Sequence, residues 1–101
     1  MHCGIGLATK LDFAQGRQQW GHQMDFVALD VETANADMTS ICQIGVASFS
    51  GTSLVDEWST LVDPETFFEP INVSIHGINA DAVRRAPVFR DIAEEVRRRT
   101  N

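Results

Sequence analysis

Asp30 and Glu32 stand two residues apart at the end of Phe26-Val27-Ala28-Leu29-Asp30-Val31, the most apolar run in the chain. A strand repeats every two residues, so both carboxylates share one face and converge on one site. Two like charges on a desolvated strand are costly unless they are protonated, matched by cations or bound to metal. No lysine or arginine lies within the run. Oxygen-only donors suit hard divalent cations such as Mg²⁺ or Mn²⁺ and do not favour zinc. Two such ions roughly 4 Å apart can activate a water and stabilise the leaving oxygen of an in-line phosphoryl displacement, which makes phosphodiester hydrolysis the chemistry this pair suits. A lone D-x-E is nevertheless a weak signal, because strand-end carboxylates often only face solvent.

The elements that would position this pair can be read from pattern. The near-continuous apolarity of residues 26–31 predicts a central strand covered on both faces. Residues 41–49 and 54–62 are the next strand candidates, and Ser50-Gly51-Thr52-Ser53 between them predicts an antiparallel hairpin. Pro64 and Pro70 mark an irregular stretch, and Asn79 is a candidate N-cap for a helix over Ala80–Ala86 that Pro87 would end. Val88, Ile92 and Val96, with Phe89 and Ala93, recur at i, i+4 and predict an amphipathic helix to about Arg99. Residues 1–23 hold no sustained period and are expected to be a loosely ordered extension, either natural or from a mis-assigned start, with the domain proper beginning at Met24. Gly4 and Gly6 form only a lone GxG, too little for a dinucleotide loop.

Four segments in order, FVALDVETAN (26–35), SICQIGVASF (40–49), VDEWSTLVDPE (55–65) and NVSIHGINADAV (72–83), resemble the N-terminal half of the DEDD 3′→5′ exonucleases. That group includes the proofreading subunit of bacterial DNA polymerase III and ribonuclease T. The resemblance covers Asp25 to about Arg99 and rests on the conjunction of a D-x-E-T motif, an IGV strand, a strand closing on D-P and an IHGI segment. It implies an α/β, ribonuclease-H-like exonuclease fold, truncated to a three-stranded antiparallel meander plus helices, with the later strands missing. It implies that Asp30 and Glu32 are catalytic and hold Mg²⁺ or Mn²⁺ in a two-metal site. It also implies that Thr33, Ile75 and His76 meet the 3′-terminal nucleotide of single-stranded DNA or RNA. Asp30 and Glu32 answer to the family's first motif; its second and third motifs have no candidates. His76 and Asp81 mimic the H-x-x-x-x-D spacing of the third motif but lie too early, with Asp81 expected in the first turn of the helix capped by Asn79. Asp91 sits in a helical register and does not supply the second motif. For His76 the plain alternative is a local capping histidine.

The chain of 101 residues is 44% hydrophobic and 22% charged, which fits one modest globular core, and nothing in it approaches the roughly 20 apolar residues of a membrane span. With no secretory leader pattern, a cytoplasmic location is the default expectation. The net charge of −6 opposes bulk coating of nucleic acid but not a metal-mediated grip on a strand end. Arg84, Arg85, Arg90, Arg97, Arg98 and Arg99 are expected mainly to form a solvated helix face, with backbone contact to a strand as the alternative. Cys3 and Cys42 have neither zinc nor disulfide spacing, so Cys42 is expected to be a buried, reduced thiol. Trp58 is expected in the core and Trp20 exposed. A glycosidase built on the same carboxylate pair is disfavoured by 8% aromatics and no tyrosine to line a sugar cleft. A non-catalytic remnant that binds nucleic acid or a partner remains open, as does self-association through an unpaired strand edge.

Overall fold

The structure, a computed structural model, describes residues 24–101. The expected extension of residues 1–23, with Cys3, Gly4, Gly6 and Trp20, lies outside the described residues. Strands β1 (Asp25–Thr33), β2 (Ile41–Ser50) and β3 (Ser53–Leu61) form one antiparallel sheet in the order β1-β2-β3, followed by helices α1 (Pro70–His76) and α2 (Phe89–Arg99). The hairpin forms where its turn residues stand: Ser50 pairs with Ser53, and Gly51 takes a φ of 63°, a conformation glycine adopts without steric cost.

Two irregularities tune the register. One lies between Ser48 and Phe49, so that Asp30, Gly45 and Ser59 line up across the three strands, and Glu32 lines up with Gln43 and Leu61. The other lies between Glu32 and Thr33: Glu32 pairs with Gln43 but Thr33 with Ile41, leaving Cys42 as the extra residue of a bulge. Bulges increase local twist and re-aim side chains, and this one sits directly beside the carboxylate strand's end.

The cluster that α2 covers lies on the face opposite the carboxylates, whereas Ala28 and Ala47, with Phe26 and Phe49 packed against them, are buried on the carboxylates' own face. Ile44, Val62 and Ile92 are buried in the cluster under α2, with Val31, Ile41, Trp58 and Val96 packed around them, so α2 closes over the sheet as its i, i+4 pattern required. Cys42, Ile78 and Val83 form a neighbouring cluster. Arg99 fastens the last turn of α2 to the sheet: its guanidinium lies 5.0 Å from the Trp58 ring centroid and 2.7 Å from Asp56, and Nε is 2.5 Å from Glu95. Arg97 and Arg98 pair with Glu94 and Glu95, and Arg84 with Asp81, so of the six arginines from Arg84 to Arg99 four are in surface ion pairs, as the solvated-face reading expects.

Two sequence expectations are corrected. The apolar run predicts a strand covered on both faces, yet Leu29 is 44% exposed; that β1 is an edge of the sheet among the described residues, with β2 central, is what a meander without its later strands implies. Apolar composition alone does not fix which elements come to cover a strand's faces. The helix lies at Pro70–His76, where an irregular stretch was expected, and residues 80–85 form successive turns. Proline was read as a breaker, but at the first helical position its missing N–H and fixed φ are favourable. The 79–86 segment makes only three-residue closures, Ala82 N to Asn79 O, Arg84 N to Asp81 O and Ala86 N to Val83 O. Pro87 disfavours helical backbone at Ala86, which leaves too short a stretch to propagate.

Candidate active site

The register brings Asp30 and Glu32 to one face, where they line a cleft of ≈ 170 Å³ together with Gln43, Gly45, Glu57, Trp58 and Ser59. Gly45 makes the floor open beside Asp30, its strand neighbour; a β-carbon there would meet only Ser59 Cβ at 3.7 Å and Trp58 O at 3.9 Å, which is ordinary contact. Glu32 is buried, with only 8% of its surface exposed, whereas Asp30 is half-buried. The donor set is made of oxygens and fits a hard cation in part. Among the described residues no group of three or more His, Cys, Asp or Glu is arranged to hold a metal ion, so the pair is part of a ligand set at most.

Glu57, Gln43 and Ser59 were not singled out from sequence. Gln43 reaches the cleft through its pairing with Glu32, whereas Glu57 and Ser59 reach it because the bulge at Ser48/Phe49 sets them on the carboxylate face of β3. Counting pairs straight back from the turn would have placed Trp58 opposite Gly45 and Asp56 opposite Ala47, one residue out of register.

Beyond Glu32 the chain is held by polar contacts. The loop from Ala34 to Ser40 closes on itself through Ala34 N to Ser40 O (2.8 Å), Asp37 N to Asn35 Oδ1 (2.8 Å) and Thr39 N to Asp37 Oδ1 (2.9 Å). The latter bond, with a second from the Thr39 hydroxyl, holds the Asp37 carboxyl below the usual carboxylate range. Buried Asn35 donates from Nδ2 to Phe67 O at 2.8 Å, and Glu69 N donates to Ala34 O at 2.8 Å, so the segment leading into α1 is tied to the residues that follow the motif.

The substrate-side candidates are placed as follows. Thr33 ends β1, and its carbonyl accepts from Asn72 Nδ2 at 3.2 Å and from His76 Nε2 at 2.9 Å. His76 is the last residue of α1, and its Nδ1 accepts from Ile78 N at 3.0 Å. Ile75 projects outward and is 65% exposed. Thr33 and His76 are therefore in contact with each other and adjacent to the carboxylates' strand, whereas Ile75 meets solvent. Asp81 is exposed in a turn, not in a helix's first turn as expected, and pairs with Arg84, whereas His76 is engaged by Thr33 and Ile78.

Cys42 is fully buried against His76, its sulfur 3.9 Å from Nε2. Burial pushes its thiol up to about 11, and the Glu32 carboxylate acts in the same direction. A folded-state pKa above the unfolded value of roughly 8.5 means that the thiol's contribution to stability is complete below about pH 8.5 and is lost as pH rises through about 11. The neutral thiol is also a poor nucleophile. Alkylation by iodoacetamide at pH 8, followed at the Cys42 peptide by mass spectrometry, is expected to be at least tenfold slower in the folded chain than in urea; equal rates would contradict the burial.

Comparison with known proteins agrees with this fold. The family described as Exonuclease matches residues 27–100. A solved structure, "crystal structure of full-length 3'-exonuclease", superposes with a TM-score of 0.61 at 22% sequence identity, covering 75% of this chain. The chain spans 28% of that chain's length, and at this identity the likeness carries the fold alone. No curated protein matches the chain. The three-stranded antiparallel sheet with two helices is thus a fragment of the ribonuclease-H-like exonuclease fold, as the resemblance implied. With almost all of the described chain inside the family's match, and the D-x-E pair on the face that the fold brings to one cleft, the chain belongs to the exonuclease family.

Proposed function

We propose that residues 24–101 are the N-terminal part of a 3′→5′ exonuclease domain in which Asp30 and Glu32 hold catalytic divalent cations, Mg²⁺ or Mn²⁺. Thr33, Ile75 and His76 border the 3′-terminal nucleotide of a single-stranded DNA or RNA. The observation that carries this reading is the convergence of Asp30 and Glu32 on one cleft, in a chain of the exonuclease family. Bound cations would supply an activated water and charge stabilisation at the scissile phosphodiester. The chain's own residues supply two carboxylate ligands, a rigid strand beneath them and an exposed apolar side chain, Ile75, against which a terminal base can rest. Both nitrogens of His76 are engaged within the chain, so it would meet a nucleotide through its ring carbons. The setting proposed is the cytoplasm; among the described residues no helix is long and apolar enough to cross a membrane.

In this reading residues 1–101 do not by themselves complete the reaction. A two-metal centre needs its ligands together, and a general base must come within hydrogen-bond reach of the attacking water. Among the described residues no strand pairs with the outer side of β1, and in this reading that edge takes a strand from a second copy. The test is release of 5′-mononucleotides from a 3′-end-labelled oligonucleotide with Mg²⁺ or Mn²⁺, alongside light scattering during sizing chromatography. Background-level release is expected, with dimers or larger species. Robust metal-dependent release that disappears in Asp30→Ala would show that the chain, or two copies of it, already assembles a complete site.

A further inference from the structure

We propose that His76 and Asn72 are positioning residues, which fix the carboxylate strand's end through the carbonyl of Thr33; the inference rests on the reading of Asp30 and Glu32 as metal ligands. Helix α1 has seven residues, none of them buried, and no side-chain cap. A helix so short is not stable on its own, and here apolar burial does not explain it either. Its firmest attachments are polar. Asn72 and His76, four residues apart and therefore on one helix face, both donate to Thr33 O, at 3.2 Å and 2.9 Å. Thr33 follows Glu32 directly, at the point where the bulge shifts its pairing with β2.

The protonation pattern of His76 follows from its partners alone. The Ile78 N–H can only donate, so Nδ1 accepts at 3.0 Å and the ring proton resides on Nε2; the Thr33 carbonyl can only accept, so Nε2 donates. Local backbone makes this possible. Gly77 caps α1 with φ 76° and donates its N–H to Val73 O at 2.7 Å, turning the chain so that Ile78 N meets the ring. Ile78 is itself buried in the cluster with Cys42 and Val83, which anchors the donor. The ring therefore couples a core-anchored amide to the carbonyl beside Glu32, in the manner of outer contacts that orient metal ligands.

The test uses the full chain and four variants: His76→Phe, which keeps a ring but no donor; His76→Gln, which restores a donor near the Nε2 position; Asn72→Ala; and the Asp30→Ala, Glu32→Ala double variant. Amide hydrogen exchange is read at Glu32 to Ala34, and Mn²⁺ affinity by the resonance of the free ion. His76→Phe is expected to speed exchange at these amides at least tenfold and to weaken Mn²⁺ binding by about tenfold, the lower end of what outer contacts contribute. His76→Gln is expected to stay within about threefold of the parent chain in both, a rescue that a merely space-filling ring would not show. Unchanged exchange in His76→Phe overturns the proposal, as does a Gln variant that behaves like Phe. If His76→Phe does not fold, Asn72→Ala decides: faster exchange at the strand end supports the clamp and unchanged exchange overturns it. The double variant separates the two ideas. If it binds Mn²⁺ as the parent does, the metal reading fails, while exchange at Thr33 still decides the positioning claim.

Discussion

Asp30→Ala is expected to lower mononucleotide release by at least about 10³-fold in an exonuclease domain that carries this segment with its remaining ligands and general base, the upper end of what one stabilising group contributes in a transition state. Asp30 lies in register with Gly45 and Ser59, so its carboxylate opens onto the cleft and not onto the apolar core. In the proposed reading alanine in its place removes a metal ligand, while leaving a small residue on a strand whose neighbours Ala28 and Ala47 are already small and buried. The melting temperature should therefore move little, and the loss should appear in the chemical step. Single-turnover rates at saturating Mg²⁺, measured with a thermal melt on the same preparation, make the check. Full retained activity would show that the motif match is accidental.

Ile44→Ala should have the largest effect on stability. Ile44 is 2% exposed and sits where β2, the central strand, meets Val62 and Ile92, so it joins the sheet to α2. Truncating a buried isoleucine costs about 2–5 kcal/mol through lost transfer energy and the cavity left behind. A domain of this size holds only about 5–15 kcal/mol in total, so the variant should be largely unfolded or strongly shifted in denaturant midpoint. Leu54, at 51% exposed, is the control: its replacement by alanine should change stability by no more than about 0.5 kcal/mol. Urea titrations of both variants test the difference, and a mild effect at Ile44 would mean that the sheet and α2 do not depend on one another.

The parts of the fold that follow from local chemistry were legible. The apolar run before Asp30, the Ser50–Ser53 turn and the i, i+4 pattern of α2 each specify their own element, and all three stand where the pattern placed them. The D-x-E pair was legible as well, because strand periodicity alone puts both groups on one face. Three features were not. The bulges at Ser48/Phe49 and Glu32/Thr33 carry no local signature, and they decide that Glu57 and Ser59 join the cleft and that Cys42 turns toward His76. Helix α1 has no amphipathic burial to announce it; its attachment runs through Asn72 and His76 to a backbone carbonyl, and such a contact leaves no periodic trace. The exposure of Leu29 depends on which elements cover the faces of β1, and composition within the strand does not encode that.

The central claim is that Asp30 and Glu32 are metal ligands, and it is tested most directly by titrating Mn²⁺ into the chain and into the Asp30→Ala, Glu32→Ala double variant while the electron paramagnetic resonance of the free ion is followed. The parent chain is expected to remove Mn²⁺ from the free signal saturably but weakly, because two carboxylates are an incomplete ligand set. The double variant is expected to leave the free signal as in buffer. Superimposed curves for the two proteins would contradict the account.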